Sequence, residues 1–191
     1  MTTAWACIRL IAALAGGLPL KVIRRADKTR QEIRTPEYQH IWGRPNPSMV
    51  RTVYWETAAA QALTYGNAFC WKGRTALADP RAPWRGVNEL WPLHPRRIKF
   101  GQTADSVKVY TIDDDRERPY SGVDIMHTPL MSLDGITGLS PIQQNAAALG
   151  LATAQERFGS QFFSRGQQMS GILTSEQTID QKTAEEVQER W

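Results

Sequence analysis

Asp113, Asp114 and Asp115 are consecutive carboxylates, and clustered carboxylates can hold a hard divalent cation for nuclease-type hydrolysis. They stand between an alternating apolar segment and Arg116-Glu117-Arg118, with no distant carboxylate paired to them, so a solvated turn is expected. His127 with Asp124 or Asp134 is a possible acid–base pair, but no serine or cysteine nucleophile stands in a matching context. His94, in Trp91-Pro92-Leu93-His94-Pro95, is flanked by bulky apolar residues and is expected to be a core or packing histidine rather than a general base. Gly138-Leu139-Ser140-Pro141 has the outline of half a nucleophile elbow, yet the closing glycine is missing and Pro141 has no N–H for an oxyanion hole. Ser140 is therefore expected to cap a helix. Pro95-Arg96-Arg97-Ile98-Lys99-Phe100 interleaves basic and aromatic residues as single-strand binders do, but without zinc spacing, a basic zipper or an RNA-binding signature. No Gly-x-x-x-x-Gly-Lys phosphate loop is present. Cys7 and Cys70 match no metal spacing and are expected to be buried free thiols, and the three histidines are scattered. No catalytic residue, metal or cofactor is expected.

Hydrophobic spacing sets the elements that must hold these residues. Residues 3–15 put Ala4, Cys7, Ile8, Ile11 and Leu14 on one stripe of a buried helix, ended by Gly16-Gly17. Leu18, Leu20 and Val22 alternate with Pro19 and Lys21 as in a strand near a sheet edge, and residues 24–34 read as a turn plus a short return strand. Tyr38, Ile41 and Trp42 mark a brief helix, closed by Gly43 and the loop Arg44-Pro45-Asn46-Pro47. Ser48 is expected to cap a helix of about 17 residues, with Val50, Val53, Tyr54, Ala58, Ala62 and Tyr65 on one face and Gly66 as its stop. Strands follow around Phe69–Lys72, Val87–Trp91, Ile98–Phe100, Val107–Thr111 and, last, Ile125–His127, with Pro80 and Pro83 in an irregular connection. The pattern is α+β.

From Ser140 the chain changes character. Pro141 at the first helical position and Gln143 three residues after Ser140 form a capping box. The helical pattern runs on to Phe163 through Ala147, Leu151, Ala154, Phe158 and Phe162, roughly 35 Å of helix. Only Glu156 and Arg157 are charged in it, so most of its surface expects protein neighbours. Gly166–Gly171 reads as a break and Ile172-Leu173 as a short strand; Thr178 with Gln181 makes a second capping box before a helix face of Ile179, Val187 and Trp191. Ending on that apolar anchor, the chain reads as truncated.

Composition is ordinary for a globular protein, at 41% hydrophobic and 22% charged, with seven tryptophans expected as core or interface anchors. The net charge of +4 conceals an asymmetry: residues 1–100 carry 16 Lys/Arg against 6 Asp/Glu, and residues 101–191 carry 7 against 13. A basic half can meet nucleic acid or an acidic neighbour. Leu10–Leu20 imitates a signal-peptide core, but Arg9 adjoins it, no basic run precedes it, and Gly16-Gly17 and Pro19 interrupt it. It is also too short to span a bilayer, so no membrane crossing is expected.

Several segments, in order, resemble the portal proteins of tailed bacteriophages, of the HK-ninety-seven type. Trp5-Ala6-Cys7-Ile8-Arg9-Leu10-Ile11-Ala12 followed by Leu18-Pro19-Leu20 resembles that family's first helix and strand. Arg44-Pro45-Asn46-Pro47 resembles its loop before the next helix, Tyr65-Gly66-Asn67-Ala68-Phe69 its helix-to-strand junction, and Glu89-Leu90-Trp91-Pro92-Leu93-His94-Pro95 a sheet segment. The most specific stretch is Ser132-Leu133-Asp134-Gly135-Ile136-Thr137-Gly138-Leu139-Ser140-Pro141-Ile142, and Phe162-Phe163 and Ser170-Gly171-Ile172-Leu173 complete the series. Two departures stand out: Tyr65 occupies a position where arginine is common, and the loop from Arg74 to Arg85 is longer than usual.

The resemblance implies a wing-like α+β domain over residues 1–138, a stem helix over 139–165 and the start of a clip-like region over 166–191. It implies a ring of twelve identical subunits at a capsid vertex of the virion, assembled in the host bacterial cytoplasm. Implied partners are terminase, capsid, scaffold and head-completion proteins, with double-stranded DNA passing without sequence specificity. The stem or subunit-contact residues would be Gln143, Gln144, Ala147, Leu151, Gln155, Arg157, Phe158 and Phe162. Each phosphate neutralised adds salt-sensitive affinity, and a conduit that gripped DNA would stall it, so the nearly uncharged helix suits a channel and the basic half is expected mainly outside it. Two other readings are a basic DNA-binding accessory protein and a metal-dependent nuclease domain using Asp113–Asp115.

Overall fold

The computed structural model describes residues 2–26, 29–35, 38–75, 85–113, 117–164, 180–182 and 185–186. Pro80, Pro83, Asp114, Asp115, the Gly166–Gly171 break, Ile172-Leu173, Thr178, Ile179, Val187 and Trp191 lie outside them. Residues 1–152 form one compact unit and residues 153–191 a second.

Helix α1 (Thr2–Gly17) turns inward at Ala4, Ile8, Ala12 and Gly16, a four-residue spacing of mostly small side chains. Small residues let two helix axes approach, and Gly16 shows how closely: a Cβ there would sit 2.7 Å from the Thr52 carbonyl oxygen of α3 (Arg51–Tyr65). The expected stripe is thus rotated. Cys7, Ile11 and Leu14 are exposed instead of buried, as are Trp5 and Leu10, because the face turned inward runs through Ala4, Ile8, Ala12 and Gly16. The expected strand at Leu18–Val22 starts later. β1 (Val22–Ala26) pairs antiparallel with β2 (Thr29–Ile33) and, among the described residues, with no other strand.

A short α2 (Gln39–Trp42) closes at Gly43, as the spacing predicts. Ser48 does not cap α3. Its backbone N–H donates to Asn46 Oδ1 at 3.0 Å, while the cap position falls on Val50, whose side chain makes no capping bond. Asn46 has taken over the local turn. Within α3, Tyr54, Ala58 and Ala62 form the inner stripe, and Val50 and Val53 stay about half-exposed.

Three strands lie beside α3 in the order β4–β3–β8: β4 (Val87–Leu93), β3 (Asn67–Arg74) and β8 (Ile125–Pro129), all antiparallel. Successive β3 residues face opposite ways. Cys70 packs with Tyr54, Val87 and Leu90 on the helix side. Phe69 packs with Ile98, Tyr110 and Ile125 on the other, against a second sheet of β5 (Ile98–Gln102), β6 (Lys108–Ile112) and β7 (Tyr120–Ser121). The architecture is therefore helix on sheet on sheet, an α+β arrangement. Pro92 is tolerated because β4 is an edge strand, where a missing N–H breaks no ladder. Ile125–His127 is not the last strand: β9 (Met131–Ser132) and β10 (Gly138–Leu139) pair after it.

The helix expected from Ser140 to Phe163 is two helices. α4 (Pro141–Gln144) ends at Asn145, whose side-chain amide donates to the Pro141 carbonyl at 2.9 Å, and α5 (Ala146–Ser164) begins at once. The break is local: Asn145 leaves helical dihedrals at φ −108° and ψ 21°, while its N–H still donates to the Pro141 carbonyl at 3.2 Å and its carbonyl accepts from the Leu149 N–H at 3.0 Å.

Candidate functional site

The residues that carry the motifs converge at the end of α3. Gly66 caps that helix in the left-handed conformation at φ +78°, and its N–H donates to the Ala62 carbonyl at 2.8 Å. A Cβ on Gly66 would lie 2.4 Å from the Gly138 carbonyl oxygen, and one on Gly138 would lie 1.8 Å from that of Gly66. Neither position admits a side chain. Two backbones that are 71 residues apart at Asn67 and Gly138 touch here.

Asn67 bonds them together. Its Oδ1 accepts from the Gly138 N–H at 2.8 Å and faces His127 Nε2 at 2.9 Å, and its Nδ2 donates to the carbonyls of Gly138 at 3.1 Å and Tyr65 at 3.2 Å. An acceptor opposite Nε2 places the ring proton there, leaving Nδ1 toward the Tyr110 hydroxyl at 3.4 Å. The imidazole stacks on Phe69, with centroids 4.4 Å apart. Burial, with Lys108 adding to it, lowers the His127 pKa to about 4. Ser140, 2% exposed, completes the junction by donating to the Thr64 carbonyl at 2.6 Å and accepting from the Gln143 N–H at 3.2 Å. The cap expected at Ser140 with Pro141 behind it is therefore present, and it ties α4 to the end of α3.

The remaining motif residues shape the loop before β10 and the β4 edge. Asp134 accepts from the N–H groups of Thr137 at 2.6 Å and Ile136 at 2.7 Å and from Ser132 Oγ at 2.9 Å. Those donors hold its carboxyl well below the usual range, and Gly135 at φ +72° lets the chain turn beside it. Pro45 and Asn46 are buried against the β4 edge: the Leu90 N–H donates to the Pro45 carbonyl at 2.7 Å, and Asn46 Nδ2 donates to the Leu90 carbonyl at 2.7 Å. Arg44 and Pro47 flank them, exposed. Trp91 Nε1 donates to Glu89 Oε2 at 2.8 Å, and Pro92 lies opposite Cys70.

The titratable candidates are occupied structurally. His127 meets neither Asp124, which accepts from Ser121 Oγ at 3.4 Å, nor Asp134. His94 is exposed and packs edge-on against the Tyr65 ring, and its Nδ1 accepts from the Arg96 N–H at 3.2 Å. Asp113 forms a two-pronged ion pair with Arg97, with Arg97 Nε donating at 2.7 Å. Among the described residues no group of three or more His, Cys, Asp or Glu could hold a metal ion. No described helix is long and apolar enough to cross a membrane. Sequence patterns gave no signal for Lys72, which is 4% exposed with Nζ donating to the Gly122 carbonyl at 2.8 Å.

Among the described residues, α1 and α5 both carry bare apolar side chains. On α1 these are Trp5, Leu10, Ile11 and Leu14, each at least half-exposed. Beside it, an apolar cleft of about 240 Å³ opens between Ala15, Leu18, Ala58, Ala62, Met126 and their neighbours. On α5, Leu151 and Phe158 are 63% and 72% exposed and Phe162 stacks beside Phe158; Ala147, Gln155 and Arg157, and Gln143 and Gln144 of α4, are exposed too.

A family model described as "Phage portal protein" matches residues 2–191. The portal protein of Enterobacteria phage HK97 is 27% identical over 196 residues, covering 100% of this chain and 44% of that protein. The probable portal protein of Streptomyces phage phiC31 is 26% identical over 202 residues, covering 100% of this chain and 42% of that one. The neck of a native gene transfer agent particle, computed with C12 symmetry, shares the fold at a TM-score of 0.64 and 19% identity, over 97% of this chain and 49% of its counterpart. The chain spans about half the length of the proteins it matches.

Proposed function

Because the chain belongs to the phage portal protein family, we propose that it is a portal subunit, one of twelve copies forming a ring at a capsid vertex of the virion. Duplex DNA enters and leaves through the hole, with terminase docking during packaging and head-completion proteins replacing it. Capsid and scaffold proteins surround the ring, and assembly takes place in the host bacterial cytoplasm. The observation that carries this reading is the family match along essentially the whole chain.

In this reading residues 1–138 are the wing, 139–165 a stem helix and 166–191 the start of the clip. The junction of Gly66, Asn67, Gly138 and Ser140 supports it, because the motif segments meet where the chain passes from the sheets into α4. A closed ring needs two different faces on each subunit, each complementary to the other. The bare apolar side chains of α1 and α5 supply surface of that kind. No chemical step is assigned to the subunit; its proposed work is positional.

Mass photometry and electron microscopy of the intact protein test the reading. The expected result is a closed ring of twelve with a central opening wide enough for a duplex. Compact monomers across a range of salt and magnesium concentrations would overturn it.

A further inference from the structure

We infer that the β1–β2 hairpin is an arm that seats in a groove of duplex DNA and holds its phosphates without reading sequence. Between Lys21 and Arg34 six Lys/Arg stand against two acids. Glu32 is already engaged, accepting from Lys21 at 3.1 Å and Arg34 at 2.7 Å. Among the described residues no acidic side chain pairs with Arg24, Arg25 or Arg30, all of them exposed.

The register makes the arrangement costly in isolation. Arg25 lies directly across from Arg30, and like charges at opposed positions of an antiparallel pair are destabilising. The neighbouring pair, Arg24 with Gln31, faces the other way. The ribbon is thus basic on both faces near its tip, while half-buried Val22 and Ile33 pair at its base. An anion relieves the opposition, and guanidinium forks match phosphate oxygens.

Two features select duplex DNA among anionic partners. An acidic protein surface would meet one face of the ribbon and leave Arg24 or the Arg25–Arg30 pair unsatisfied. The major groove, about 12 Å wide, admits a two-stranded ribbon and presents phosphates along both walls. Single strands are a poorer fit, since residues 21–34 contain no aromatic side chain on which a base would stack. This arm is independent of ring formation, and it belongs to the basic half of the chain, which the conduit reading keeps outside the channel.

The test measures binding of the intact protein to a random-sequence duplex by fluorescence anisotropy across a salt series. Replacing Arg24, Arg25 and Arg30 by Gln is expected to reduce the slope of log affinity against log salt by about 2.7, near 0.9 per lost phosphate contact. Replacing all three by Lys keeps the charge and is expected to retain most of that slope, which separates lost contacts from a disturbed hairpin. Poly-glutamate at equal charge concentration is expected not to displace the duplex. An unchanged slope in the Gln variant, or displacement by poly-glutamate, would overturn the inference. Particle mass, read on the same samples, reports separately on the ring.

Discussion

Asn67 spends both ends of one carboxamide on three segments: the end of α3, β8 through His127, and the backbone at Gly138. Asn67→Ala would leave a buried N–H, two carbonyls and an imidazole short of partners, and should cost about 2–4 kcal/mol in urea unfolding. His127 adds a pH dependence whose sign follows from its low pKa. The unfolded ring titrates near 6.5 and the folded one near 4, so the unfolded state binds more protons between these values. The stabilisation is complete above about pH 6.5 and is lost as pH falls toward 4. Because His127 is only half-buried, the loss should be about 1–2 kcal/mol, less than an enclosed ring would show. Unfolding midpoints of His127→Gln should be flat across that window; a parallel decline in both proteins would refute the assignment. Asp134 acts lower on the scale. Its carboxyl is held well down by backbone donors, so its contribution persists above the ordinary carboxylate range and disappears under stronger acid.

Among elements, the handover from α3 through β3 to α4 rests on glycine at two places. Gly66→Ala must adopt φ +78° and drive a methyl into a carbonyl 2.4 Å away, so it should lower stability by about 3 kcal/mol or more in thermal or urea unfolding. Much of this geometry was legible: Gly66 as the stop of α3, the strand beginning at Asn67, and Ser140 as a cap all follow from local chemistry. Other features were not. Ser48 is a good cap by type, but Asn46, fixed by Leu90 from a distant strand, captured its N–H. The inward face of α1 follows the expected stripe at Ala4 and Ile8 but continues through Ala12 and Gly16 rather than Ile11 and Leu14, because spacing ranks residues by apolarity whereas the closeness of α3 at Gly16 selects small ones. The Asn67–His127 contact spans 60 positions, and neither residue type announces a partner.

At the scale of the whole molecule, the proposed ring turns bare surface into buried contact. Trp5→Glu combined with Leu14→Glu should leave the far-ultraviolet spectrum unchanged while the particle mass falls from ring to monomer, since both side chains already face water in the single subunit. Arg157→Gln should leave most of the duplex binding by an assembled ring intact, because this is the one cation on each subunit's α5 and it stands beside Glu156. A complete loss would mean that this helix grips DNA. The two thiols differ sharply in accessibility: Cys70 is enclosed and its pKa pushed up to about 11 by burial, whereas Cys7 is exposed on the same helix as Trp5 and Leu14. Of these two thiols, maleimide dyes should therefore attach at Cys7. An environment-sensitive fluorophore at Cys7 would shift to shorter wavelength as neighbours arrive, giving a real-time optical record of ring closure.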